Sequence, residues 1–87
     1  GNMGYITPTK VSLLSLGNRD GVLATFATIA NNETWYHPMS AIEHVEIVDA
    51  SGAHTVGYTV LGDTVTFKVG GGDATLGVTT VFVLGFK

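Results

Sequence analysis

Cysteine is missing from this chain altogether. Neither disulfides nor a thiolate metal site can therefore reinforce its core. Charge is also scarce: 13% of residues are charged, against about 25% in an ordinary soluble domain. The four basic residues, Lys10, Arg19, Lys68 and Lys87, are scattered and outnumbered by seven acidic ones. Nucleic-acid binders need the opposite balance, because phosphate neutralisation supplies most of their affinity, so a nucleic-acid partner is not expected. No apolar repeat of helical period is sustained along the chain, which removes the helical classes. No apolar run approaches the ~20 residues of a membrane-spanning helix, and no signal-peptide pattern is present. A membrane partner is accordingly not expected.

What remains is the vocabulary of strands and turns. Valine, threonine, glycine and aromatic residues dominate, and turn clusters cut the chain into strand-length pieces. The cuts fall at Leu16–Gly21, Ala30–Glu33, Asp49–Gly52, Leu61–Asp63 and Val69–Asp73. The 87 residues make one domain, 1–87, with Gly1-Asn2-Met3-Gly4 discounted as a tag remnant. A domain this small buries only about 60–65% of its unfolded surface. Closure into a barrel and self-association are the two remaining ways to enlarge a core without cysteine.

The clearest signal is the hairpin from Thr55 to Val69. Val56, Tyr58 and Val60 alternate with small or polar residues, Gly62-Asp63 supplies the turn, and Val65, Phe67 and Val69 resume the alternation. Asn18-Arg-Asp-Gly21 suits a second hairpin, between Lys10–Leu16 and Val22–Ile29. Both of those strands carry apolar residues on both faces, so their inward side is ambiguous. Pro38 ends a short edge strand through Trp35 and Tyr36. In Ala41–Val48, strict alternation puts Glu43 with Val45 and Ile47 and exposes His44 and Glu46. The expected core comprises Val45, Ile47, Val56, Val60, Val65, Phe67, Val69, Val81 and Val83.

The final stretch, Gly77 to Lys87, alternates without becoming polar. Val81, Val83 and Gly85 fall on one face, and Phe82, Leu84 and Phe86 on the other. A strand buried on one side only should alternate apolar with polar. This one asks for cover on both. Phe82, Leu84 and Phe86 are therefore candidate interface residues, and the sparse surface charge points the same way. Trp35 and Tyr36 join them as candidates, although Trp35 also suits a plug at one end of the core.

Chemistry is harder to find. His37, His44 and His54 lie among Glu33, Glu43, Glu46 and Asp49, but at no metal-motif spacing, and read as surface histidines. Gly70-Gly71-Gly72 is followed by Asp73-Ala74 and by no helix, so it is a loop and not a phosphate cradle. No serine sits in a nucleophile elbow. Neither an enzyme nor a cofactor nor a metal is expected.

Two segments, Ala24-Thr-Phe-Ala-Thr-Ile-Ala-Asn-Asn-Glu-Thr-Trp35 and Thr55-Val-Gly-Tyr-Thr-Val-Leu-Gly-Asp-Thr-Val-Thr-Phe67, resemble small all-β virion proteins of tailed phages, as does the final strand. Asn32-Glu33 replaces the usual Asn-Gly, and His37-Pro38 departs from the pattern. The resemblance implies a capsid decoration or cement component. Such a protein would self-associate as a trimer or ring, with a capsid protein as partner, in the virion or host cytoplasm. A weaker, topological resemblance is to the Sm-like and SH3-like small barrels, whose Sm-like members form rings that bind RNA. The expected fold is all-β, a small closed or nearly closed barrel of five to seven mainly antiparallel strands, or a compact β-sandwich.

Overall fold

A computed structural model describes residues 4–49, 55–70 and 75–87. Within them every regular element is a strand: β1 (Lys10–Leu16), β2 (Arg19–Phe26), β3 (Ile29–Ala30), β4 (Thr34–Tyr36), β5 (Ala41–Asp49), β6 (Thr55–Leu61), β7 (Thr64–Gly70), β8 (Thr75–Leu76) and β9 (Thr79–Phe86). Seven of these have three residues or more, and β3 and β8 form a two-residue pair of their own. All pairings between named strands are antiparallel. The expected all-β antiparallel fold is the one that forms.

The closed barrel is not. The strands divide into a four-stranded sheet, β1-β2-β9-β5, a three-stranded sheet, β4-β7-β6, and the β3-β8 pair. Closure requires every strand to be hydrogen-bonded on both sides. Among the described residues β1 has only β2 beside it, and β6 only β7. The two larger sheets instead enclose the core as layers do in a sandwich.

The core is built from the inward parity of each sheet. Val22, Ala24 and Phe26 of β2 stand opposite Val83, Val81 and Thr79 of β9, and all six are buried. Val65, Phe67 and Val69 face them from β7. Ile29, Trp35, Met39, Val45 and Leu76 complete the cluster, with Ile42, Ile47 and Val56 packed partly against it. Val60 does not belong to it: β6 is the edge of its sheet, and Val60 remains 41% exposed. The same overhang leaves Val11 and Leu13 of β1 half exposed, although their cross-strand partners Ala24 and Val22 are buried.

Turn chemistry explains the hairpins. Gly62-Asp63 joins β6 to β7 as expected, with Leu61 opposite Thr64 and Gly62 at φ 59°. The β1–β2 turn is centred two residues earlier than the sequence suggests, on Gly17-Asn18, with Gly17 at φ 74°. In both, the first central residue is the one with positive φ, which glycine adopts without steric cost. Asn32 also adopts positive φ, 70°, as asparagine tolerates. Its carboxamide oxygen accepts a 2.7 Å bond from the Lys68 ammonium.

A bulge in β5 alters which side chains face out. Ile42 pairs with Gly85 and His44 with Leu84, so Glu43 is an extra residue between them. Strict alternation would have set Glu43 beside Val45 and Ile47. The bulge sends Ile42 inward to the core instead and releases Glu43 to the opposite face. Gly85 makes this possible, because a Cβ there would fall on the carbonyl oxygen of Ala41.

Candidate self-association surface

Cross-strand register lays out the outer face of the four-stranded sheet row by row. Along one end lie Leu16, Arg19, Phe86 and Ala41. The next row holds Leu14, Gly21, Leu84 and His44, followed by Ser12, Leu23, Phe82 and Glu46. Lys10, Thr25, Thr80 and Val48 close the other end. The two inner strands therefore present Leu23, Phe82, Leu84 and Phe86 in one contiguous patch. Leu14 and Leu16 extend it across β1.

Gly21 organises this patch. It has no side chain, and the Leu16, Leu14 and Phe82 side chains close over its backbone; a Cβ would sit 3.1 Å from both Leu16 Cδ1 and Phe82 Cε1. Phe82 and Leu84 end up half-buried by their neighbours, while Leu23 and Phe86 are 37% and 38% exposed. At the Phe86 end, the Arg19 guanidinium lies 4.9 Å above the Phe86 ring. It continues across β9 to an ion pair with Glu43, Nε to Oε1 at 2.5 Å. The bulge that turned Glu43 outward thus supplies the anchor for Arg19.

The candidates chosen from sequence divide accordingly. Phe82, Leu84 and Phe86 share the outer face. Trp35 does not: β4 pairs it with Val65, which points it inward, and it is 3% exposed. Its ring meets Phe26 edge-on at 5.4 Å. It is a core residue and not a contact surface. Tyr36, one position on, has the outward parity and is 60% exposed, stacked on Tyr5 at 5.2 Å. It lies on the other sheet, apart from Phe82, Leu84 and Phe86. Its hydroxyl pKa is raised above the ordinary value, first by a hydrogen bond with Tyr5 and then by the charge Tyr5 would carry.

The histidines also separate. His37, read from sequence as a surface residue, is 5% exposed. Its Nδ1 accepts the Met39 N–H at 3.1 Å, so Nε2 carries the proton it donates to the Gly62 carbonyl, also at 3.1 Å. It bolts the Pro38 turn to the β6–β7 turn. It also lines an open pocket of about 420 Å³ with Ser40, Asp63 and Lys87. His44 is exposed, with Nε2 at 3.3 Å from Glu46 Oε1. His54 and the Gly70–Gly72 run beyond Gly70 lie outside the described residues. Among the described residues no cluster of histidine and carboxylate groups has a metal-binding arrangement.

Leu14, Leu16 and Leu23 were not singled out from the sequence as surface residues. Their signal was the two-sided character of β1 and β2, which alternation alone could not resolve. No protein-family model, curated protein or solved structure matches the chain.

Proposed function

We propose that this chain is a non-enzymatic structural subunit that associates with further copies of itself through the outer face of the four-stranded sheet. The observation that carries the reading is the Leu23–Phe82–Leu84–Phe86 patch at the centre of that face. Exposed apolar residues are ordinary when scattered singly, whereas a contiguous patch marks a contact site. A second copy is the favoured occupant because the two borders of the face carry opposite charge. Lys10 lies on the β1 border and Glu46 on the β5 border, so one face complements another like it.

In its finer form, the proposal is a component resembling the capsid decoration proteins of tailed phages, assembled in the virion or host cytoplasm with a capsid protein as partner. The two segments quoted for that resemblance form the β2–β4 and β6–β7 regions of the fold. RNA binding by an Sm-like ring has no basic surface behind it and is expected to be undetectable against oligo-U even at low salt.

Solution mass by light scattering tests the reading. The wild type is expected to be a multimer. Phe82→Asp and Leu84→Asp are expected to lower its mass while retaining the β-sheet circular dichroism signal. A monomeric wild type, or unchanged mass in both folded variants, overturns it.

A further inference from the structure

From the register of the outer face, we infer that two copies associate face to face about a two-fold axis parallel to the strands, with Lys10 of each copy paired to Glu46 of the other. This rests on the self-association proposed above and specifies its geometry.

The inference follows from which charges the face has already used. Arg19 and Glu43 neutralise each other over Phe86. Lys10 has no ion pair among the described residues, and Glu46 has only the 3.3 Å contact with exposed His44. These two charges sit on opposite borders, one row apart in register.

Two in-plane axes are available to a face-to-face pair. An axis across the strands sets β1 on β1 and β5 on β5, keeping Lys10 and Glu46 on opposite sides of the interface. An axis along the strands sets β1 of one copy over β5 of the other. With strands about 4.8 Å apart, ~6.8 Å between same-face residues and sheets ~10 Å apart, Lys10 and Glu46 of the other copy then have Cα atoms about 12 Å apart. That is within the combined reach of a lysine and a glutamate side chain. The same axis sets Leu84 of one copy over the Gly21 position of the other, where Leu14, Leu16 and Phe82 converge, and Leu23 over Phe82, so apolar side chains meet apolar side chains across the interface. The contact is isologous, so each dimer contains it twice. Assemblies built on it are dimers or even multiples, in place of the trimer implied by the virion resemblance.

The test is a charge swap followed by sedimentation equilibrium at low salt. Lys10→Glu and Glu46→Lys are each expected to weaken the pairing about tenfold, since each loses two ion pairs and creates two like-charge contacts. The double variant K10E/E46K is expected to return to within about threefold of wild type, because the pair is restored with its signs exchanged. Lys68→Glu, on the other sheet, is the control and should leave the pairing unchanged. A wild-type multimer insensitive to both single reversals, or a double variant no tighter than the singles, overturns the two-fold arrangement while leaving self-association standing. A trimeric or other odd-numbered wild type also overturns it. A monomeric wild type overturns both.

Discussion

The two large sheets of this protein have similar inner faces and different outer ones. On the three-stranded sheet, β7 turns Val65, Phe67 and Val69 inward and Thr64, Thr66 and Lys68 outward. That is the alternation of a strand with water on one side. On the four-stranded sheet, β9 turns Val81 and Val83 inward and Phe82, Leu84 and Phe86 outward. Chain and antiparallel strand geometry are common to both. The difference is that the outward positions of β7 are polar and those of β9 apolar, and it is legible because β7 supplies the internal standard.

Core substitutions should affect both sheets alike and give the largest effects. Phe67 is fully buried and meets Phe26 edge-on at 5.7 Å. Phe67→Ala should cost about 4 kcal/mol, measured by urea unfolding, and in a domain this small should leave a substantial unfolded population. Gly85→Ala comes next, at about 3 kcal/mol. The obstruction is the backbone of Ala41 at the bulge, which cannot rotate away as a side chain would. A loss below about 1 kcal/mol would mean that the bulge rearranges at little cost, within the range of volume-conserving core changes.

Outer-face substitutions should then separate the sheets. Phe82→Asp is expected to reduce the multimer to a smaller species. Thr59→Asp, exposed on the outer parity of β6, should leave the mass unchanged. Equal effects from the two would abolish the distinction between the faces.

The smallest expected effect concerns Tyr36, on the three-stranded sheet. Its pKa is raised in the folded state by the hydrogen bond with Tyr5. The neutral phenol is therefore the stabilised form. Its contribution is complete below the unfolded value near 10 and is lost as pH rises through the folded value. A tyrosine absorbance titration should show Tyr36 ionising late, and Tyr5→Phe should bring its pKa down toward that of an ordinary tyrosine. No change in the titration would mean that the stacked pair does not share this bond in solution.

Much of the fold could be read because local signals agreed. Gly62-Asp63 and the clean alternation on either side of it define one register for β6 and β7. The burial of Val81 and Val83 followed from the same period-two rule. Reading failed where one extra residue changed the parity. Nothing in Ala-Ile-Glu-His-Val marks Glu43 as a bulge, because the signal lies in Gly85, more than forty positions later, where Ala41 comes too close for a side chain. Trp35 takes the core-plug position its sequence allowed, whereas His37 departs from the surface expected of it for a related reason. Polar or turn-rich neighbours suggest a surface, but pairing with β7 and bonding to the β6–β7 turn bring both inside.

The sequence by itself determined the class of the molecule: strands as its regular elements, hairpin turns at glycine, and a last strand apolar on both faces. Those properties depend on neighbours within a few residues, where side-chain period and backbone preference act. Only the tertiary structure decided which strand edges stay unpaired, and that Leu14, Leu16, Leu23, Phe82, Leu84 and Phe86 share one face. Those depend on register between strands far apart in the chain, and a single bulge resets that register for every side chain beyond it.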